Sequence, residues 1–155
     1  MTPNKFLKSM AAGALVLGLG VTLAFASADD QIKARQAEMK GNGKAMGALV
    51  AMMKGEAPYD AAIVKSSIDA MAAGDAAASE AKAWDASSME GATIETWAKP
   101  EIWAEGSDVG AKYQAWVDAR TALAATTDEA GFKAAFPALG AACAGCHEKF
   151  RRPKG

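Results

Sequence analysis

Apolar residues recur at helical spacing along four stretches of the chain that begin near residue 30. In the first stretch, Ile32, Met39, Met46 and Met53 lie seven residues apart, the spacing of one helix face. Pro58 ends this pattern, because a proline disfavours helical backbone at the residue before it. The predicted helices are 30–54, 61–84, 109–125 and 129–150, with a long connection over 85–108.

Four helices joined mostly by short turns predict an all-α fold, an antiparallel up-down-up-down four-helix bundle whose first and last helices are neighbours. Asp60 is expected to cap the second helix, since its side chain can accept hydrogen bonds from the first free N–H groups. Pro137 lies inside the last helix and is expected to kink or break it.

The helix faces are rich in alanine, and Gly41, Gly43 and Gly47 interrupt the first helix. Small residues leave a bundle short of apolar volume unless its helices approach closely or a ligand fills the space. Tight packing, a bend at Gly41 and a bulky planar ligand are therefore three open interpretations of this pattern.

The N-terminal segment has the composition of a secretory signal peptide. Lys5 and Lys8 precede an uncharged apolar run over 10–25, and small residues follow it. We expect a signal peptide over 1–28, cleaved after Ala26 or Ala28, and a four-helix-bundle domain over 29–155. An uncleaved membrane anchor is the alternative, because the run approaches the length of a membrane span. Export of a soluble chain implies a periplasmic location.

Length and charge restrict the function further. The chain has 155 residues with 17 basic and 18 acidic side chains, which predicts one domain without the basic face that nucleic-acid binding needs. After cleavage 15 basic and 18 acidic side chains remain, a net charge of −3. No acid–base pair or nucleophile group converges in the sequence, so we expect a protein that is not an enzyme.

The only two cysteines and the only histidine lie together in the segment Cys143-Ala144-Gly145-Cys146-His147. The pattern C-x-x-C-H is the attachment signal of haem c. Two thiols three residues apart lie on one helix face, where they can add to the two vinyl groups of a porphyrin. The adjacent imidazole then becomes the proximal ligand of the iron.

Three other chemistries fit this segment less well. A thioredoxin-like C-x-x-C pair belongs between a strand and a helix, and the pattern predicts no strand. A structural zinc site needs four ligands, whereas the chain offers three cysteine or histidine ligands. A disulfide between Cys143 and Cys146 is possible but leaves His147 unexplained. A cofactor-free helical interaction protein is the remaining alternative.

The position of the motif near the C-terminus, on the last helix, resembles the class II cytochromes c. This is the four-helix family of cytochrome c′ and its low-spin relatives such as cytochrome c-556. The resemblance covers the mature chain and depends on four segments: Arg35-Gln36-x-x-Met39, Lys54-Gly-Glu-Ala-Pro-Tyr-Asp60, Pro100-Glu-Ile-Trp103 and Cys143-x-x-Cys-His-Glu-Lys-Phe-Arg151.

The resemblance implies one covalent haem c per chain and assigns roles to matching positions. Cys143 and Cys146 would carry the thioethers, and His147 would bind the iron. Arg35 and Gln36 match residues along the haem edge that face its propionates. Glu101 matches a haem contact in the long connection. Arg151 matches a basic residue near the proximal histidine, and its charge would raise the reduction potential.

Met39 matches the residue over the distal face of the haem, and two functions depend on it. A bond from its sulfur to iron gives a low-spin His/Met site, which suits an electron carrier with redox partner proteins in the periplasm. A methionine that only packs on the porphyrin leaves a five-coordinate, high-spin iron open to NO or CO. We expect the electron carrier; Met46, one heptad further on, is a second candidate ligand. The family resemblance implies a monomer or a homodimer.

Overall fold

The computed structural model describes residues 26–153, and four helices form most of that part. They are α1 (Ala28–Met53), α2 (Ala61–Glu80), α3 (Val109–Ala124) and α4 (Glu129–Phe150). The predicted all-α four-helix fold is confirmed. The signal-peptide prediction falls on residues 1–25, outside the described part, and on the three residues that follow.

Side-chain caps explain where three of the helices begin. Ser27 Oγ accepts a hydrogen bond from Asp30 N at 3.2 Å, and Asp60 Oδ1 accepts one from Ala62 N at 2.7 Å. Asp128 Oδ1 accepts one from Gly131 N, also at 2.7 Å. Each bond satisfies an N–H group that has no partner within its own helix. The predicted cap at Asp60 is confirmed.

The second helix ends earlier than the sequence predicts. Residues 81–84 were expected to be helical, but α2 stops at Glu80 and the backbone of Lys82 has a φ of +50°. Ala83 N then donates to Ala78 O at 2.8 Å, a bond that closes the helix end. This turn releases Trp84 from the helix and directs it toward α1, where it donates a hydrogen bond to Glu38.

The last helix continues through Pro137 without a break, so a break there is a wrong expectation. Pro137 is exposed, whereas Phe136 and Leu139 on either side of it are buried. The carbonyl of Lys133, which loses its usual partner to proline, lies at an exposed position. Packing of the flanking side chains therefore stabilises the helix across the missing bond.

The main hydrophobic core occupies only one half of the bundle. Its buried members come from the C-terminal halves of α1 and α3 and the N-terminal halves of α2 and α4: Ala45, Leu49, Met52, Val64, Ile68, Met71, Ala119, Leu123, Phe132, Phe136 and Leu139. The halves of α1 and α4 that carry Arg35, Met39 and the C-x-x-C-H segment lie beyond this core. The protein side chains therefore fill the half of the bundle opposite the predicted site.

The helices pack in two pairs. Along their lengths α1 lies against α2, and α3 lies against α4, whereas the backbones of α1 and α4 hardly approach each other. The sequence predicts α1 and α4 as close neighbours; both contribute to the core, but their backbones are not closely packed. Two helices whose backbones stay apart leave room for a bulky group between them.

Residues 81–108, here called the strap, bridge the helix ends at the site. On one side, Asp29 of α1 accepts hydrogen bonds from Thr93. On the other side, Lys99 N donates to Phe150 O of α4 at 2.9 Å. The strap contains two 3-10 helices, Ala86–Met89 and Pro100–Ile102. It therefore joins the start of α1 to the end of α4, which the helices themselves do not.

The three glycines of α1 are not sites of close helix approach. Gly41, Gly43 and Gly47 are exposed, and a Cβ atom added to any of them would have no neighbouring atom within 4 Å. Tight packing is therefore the wrong interpretation of these glycines. Among the described residues, no helix combines the length and apolar character that a membrane span requires.

Candidate functional site

The C-x-x-C-H segment forms one turn of α4 near its end. Cys143, Cys146 and His147 follow the spacing i, i+3, i+4, so their side chains share one face of the helix. Both cysteines are free thiols and both are half-buried. A disulfide, one of the alternatives from sequence, is not formed. One helix face therefore presents two thiols and an imidazole together.

The surroundings of this helical turn shift the pKa values of its two cysteines and its histidine. Burial raises the pKa of the Cys143 thiol, and a hydrogen bond from the Trp116 side chain opposes that rise. Burial and the neighbouring Cys143 raise the pKa of Cys146. Burial, reinforced by the positive charge of Arg151, lowers the pKa of His147. The imidazole is therefore neutral at pH 7, the form that binds a metal ion.

Arg151 lies at the end of α4, beside the histidine. Its backbone N–H donates to His147 O at 3.0 Å, and the residue pairs with Ala98 of the strap through an isolated antiparallel bridge. Its side chain is exposed. An open pocket of about 390 Å³ lies next to it, lined by Ala144, His147, Glu148, Arg151, Arg152 and Pro153.

Arg35 is buried on α1, with 3% of its surface exposed. Its Nη1 donates to Ala83 O and to Ser88 Oγ, each at 2.5 Å. Its Nη2 is also buried, but no described residue accepts a hydrogen bond from it. A buried guanidinium nitrogen without an acceptor is costly, so this nitrogen suits an anionic group brought by a ligand, such as a haem propionate.

Gln36, predicted at the haem edge, and Glu101, predicted as a haem contact in the long connection, are both exposed. Gln36 Nε2 donates to Glu95 O at 2.9 Å, so this side chain connects α1 to the strap. Glu101 lies in the 3-10 helix Pro100–Ile102 and is solvated. The structure brings Arg35 and Gln36 to the strap but gives Glu101 no buried position.

Met39 lies one turn after Arg35, on the flank of the buried face of α1. It is 36% exposed, which is unusual for a large apolar side chain. Met46, one heptad further on, packs against the main core. The structure therefore favours Met39 over Met46 as the side chain available at the site end of the bundle.

Glu38 is a site residue that the sequence analysis did not identify. It is 8% exposed and accepts a hydrogen bond from Trp84 Nε1 at 2.9 Å. Asp75 of α2 is its neighbour, and Asp75 forms a largely buried ion pair with Arg120 of α3 at 2.6 Å. The helical spacing of Ile32, Arg35, Glu38 and Ala45 was the available signal, since it places both polar residues on the buried face.

Burial is the main cause that raises the pKa of Glu38 to about 7, and the neighbouring Asp75 carboxylate adds to it. The folded state therefore binds this proton more tightly than the unfolded state, where the pKa is near 4.5. Stability from the neutral form is complete below pH 4.5 and is lost as pH rises through 7. We expect the free energy of unfolding to fall by about 3 kcal/mol across this range because of Glu38.

Urea denaturation of the full chain between pH 4.5 and 8 measures this fall. Glu38→Gln should flatten the dependence and should be more stable than the wild type at pH 8. Glu80→Gln is the matched control, because Glu80 is exposed at the end of α2. An equal pH slope for Glu38→Gln and the wild type would show that folding does not raise the pKa of Glu38.

The residues at this end of the bundle fit a covalently attached haem. No group of three or more histidine, cysteine or acidic residues within 26–153 is placed to hold a metal ion alone. The helix face of α4 nevertheless offers two thiols and one neutral imidazole. Arg35 adds a buried nitrogen in need of an acceptor.

Comparisons with known proteins agree with this arrangement. The family described as Cytochrome C′ matches residues 30–151. A cytochrome c-556 from Agrobacterium fabrum is 36% identical over 126 residues, which cover 80% of this chain and 82% of the relative. The crystal structure of cytochrome c′ from Rubrivivax gelatinosus has a TM-score of 0.72 at 30% identity and covers 83% of this chain and 99% of that one.

A second similar structure is a nitric oxide complex of a cytochrome c prime variant from Alcaligenes xylosoxidans. It has a TM-score of 0.67 at 31% identity, with 84% of this chain and 99% of that chain covered. Family match, fold and the thiol–imidazole face of α4 lead to one conclusion. The chain belongs to the cytochrome c′ family, the class II cytochromes c, and is a c-type haem protein with one covalently bound haem.

Proposed function

We propose that this protein carries single electrons through a low-spin iron with histidine and methionine ligands. Cys143 and Cys146 would hold the haem as thioethers, and His147 and Met39 would bind its iron. Bound haem supplies an iron that alternates between the ferric and ferrous states by gaining and losing one electron. Thioether ligation raises the reduction potential, and an iron with both axial positions filled needs little change in geometry.

The observation that carries this proposal is the placement of Met39 relative to the strap. Gln36, one turn before Met39, is hydrogen-bonded to Glu95 of the strap. Three residues further, Ala98 pairs with Arg151, one turn after His147. The thioether and the imidazole therefore belong to two helix segments joined by the same short stretch of chain, at the end of the bundle without the main core.

A five-coordinate gas-binding protein is the second candidate. The exposure of Met39 favours it, because no described contact holds the sulfur toward α4. The related cytochrome c prime variant from Alcaligenes xylosoxidans forms a nitric oxide complex. In this case Met39 covers the distal face without binding iron, and small uncharged gases such as NO or CO become the ligands.

Charged and polar residues complete the proposed site. Arg35 donates from its free Nη2 to a propionate as a charge-assisted hydrogen bond, and Gln36 fixes the strap beside it. Burial and, to a smaller extent, the charge of Arg151 lower the pKa of His147, and the same positive charge favours the reduced iron. We assign Glu101 an electrostatic role at the solvent edge, since it is exposed.

The same proposal extends to the location, the partners and the oligomeric state of the protein. We propose a periplasmic protein over 29–155 that exchanges electrons with partner proteins and has no enzymatic reaction of its own. Cleavage after Ala26 would keep Ser27 as the cap of α1. A similar cytochrome c′ has a dimer whose dissociation is controlled by ligand, and we propose a monomer or a homodimer for this chain.

The visible and near-infrared spectra of the purified haem protein test the proposal. We expect a low-spin spectrum with a sulfur-to-iron charge-transfer band in the oxidised state. Met39→Ala should remove this band, convert the iron to high spin and allow CO to bind, because it deletes the sixth ligand. We expect all of the low-spin iron, and not only a fraction of it, to become high-spin.

Met46→Ala is the matched control, since it removes a methionine from the same helix but from the edge of the core. It should keep the low-spin spectrum. A wild-type protein that is high-spin and binds CO readily would contradict the electron-carrier proposal and favour the gas-binding candidate. If Met46→Ala loses the low-spin state and Met39→Ala keeps it, the iron ligand is Met46 rather than Met39.

A further inference from the structure

Two tryptophan rings lie close to the guanidinium of Arg35. Its Cζ atom lies 5.6 Å from the ring centroid of Trp84 and 5.4 Å from that of Trp103. At these distances the ring faces attract a cation. Trp84 and Trp103 are here called the aromatic clamp. Together they restrict where a buried arginine on α1 can direct its nitrogens.

The clamp is fixed by hydrogen bonds of its own. Trp103 Nε1 donates to Trp84 O at 2.8 Å, so the strap holds the two tryptophans together. Trp84 Nε1 donates to Glu38 Oε2 at 2.9 Å, and Glu38 lies on α1 one turn after Arg35. Both indoles are therefore connected to the helix that carries the arginine.

The two terminal nitrogens of the Arg35 guanidinium have different surroundings. Nη1 is used by the carbonyl of Ala83 and the hydroxyl of Ser88. Nη2 is buried and has no acceptor among the described residues. Because two acceptors hold Nη1 and both indoles lie beside the guanidinium, the protein rather than the ligand determines the direction of Nη2.

We propose that Trp84 and Trp103 are positioning residues that hold Arg35 with Nη2 directed at a haem propionate and thereby raise the reduction potential. This inference rests on the proposed function. A cation fixed beside the propionate offsets its negative charge, which favours the ferrous iron over the more positive ferric iron. A guanidinium released from the clamp moves toward solvent, where its charge is screened.

A double-mutant cycle separates positioning from packing. Reduction potentials are measured by spectroelectrochemistry on haem-loaded full chains: wild type, Trp103→Leu, Arg35→Gln and the double variant. Trp103→Leu removes one ring face and the bond to Trp84 O. We expect it to lower the equilibrium constant for reduction by roughly three- to tenfold, in the same direction as Arg35→Gln. In the Arg35→Gln background, Trp103→Leu should change the potential no further.

Trp84→Phe is the second variant and serves if Trp103→Leu fails to fold. It keeps a ring beside Arg35 but removes the hydrogen bond to Glu38, and we expect a smaller shift in the same direction. Trp97→Phe is the control, because Trp97 lies in the strap outside the clamp, and its potential should stay at the wild-type value.

Two results would overturn the inference: a wild-type potential in both Trp103→Leu and Trp84→Phe, or effects of Trp103→Leu and Arg35→Gln that simply add. Either result assigns the tryptophans to packing. These failures are distinct from failure of the proposed function, which shows in the wild-type spectrum before any clamp variant is made.

Discussion

Replacing Cys143 and Cys146 together with serine is expected to abolish covalent haem attachment completely. A serine hydroxyl does not form the thioether bonds that the two thiols provide, and His147 alone binds haem reversibly. The measurement is mass spectrometry of the 143–147 peptide from cells able to mature c-type haem. The wild-type peptide should carry the mass of one haem, and the variant peptide should carry none.

Ala144→Ser is the matched control for this experiment. It introduces the same hydroxyl within the same helical turn but keeps both thiols, so its peptide should carry haem like the wild type. The site assignment would be wrong if the double-serine variant retained a haem adduct on this peptide. A colourless wild-type protein would remove the assignment as well.

Phe132→Ala is expected to lower the free energy of unfolding by about 3–5 kcal/mol, the usual cost of deleting a buried aromatic ring. Phe132 is fully buried. Its ring centroid lies 5.8 Å from that of Tyr59 and 5.5 Å from that of Phe136. The ring therefore joins the turn before α2 to α4 within the main core, and its loss leaves a cavity there.

Urea denaturation measures this loss, with Ile63→Ala as the control. Ile63 is 41% exposed on α2, so its truncation should cost less than about 1 kcal/mol. Haem attachment should persist in folded Phe132→Ala, because the cysteines lie in the other half of the bundle. A cost below that of Ile63→Ala would contradict the placement of the core.

The helices themselves were largely predictable from the sequence. α1 and α3 lie within two residues of their predicted limits, because apolar spacing and Pro58 act locally. The end of α2 was missed because Trp84 leaves the helix to contact Glu38, a residue 46 positions earlier in the chain. The continuity of α4 through Pro137 was missed because burial of Phe136 and Leu139 outweighs the lost hydrogen bond.

Part of the candidate site could likewise be predicted from the sequence, and part of it could not. Cys143, Cys146 and His147 could be proposed as haem-binding residues from the sequence, since their chemistry depends on a short spacing within one helix turn. The burial of Arg35 and Glu38 was not predicted, and neither were the contacts of Trp84 and Trp103 with Arg35. Those contacts join α1 to the strap across about 50 to 70 residues, and no local pattern reports which distant side chains meet.

The sequence by itself determined the helical fold, the covalent attachment chemistry and the family, because each depends on residue type and spacing within a few turns. Only the tertiary structure decided that the main apolar core fills one half of the bundle and that the backbones of α1 and α4 are not closely packed. The tertiary structure also decided that the strap joins the start of α1 to the end of α4. Those features arise from burial and hydrogen bonds between distant segments, which exist only once the chain has folded.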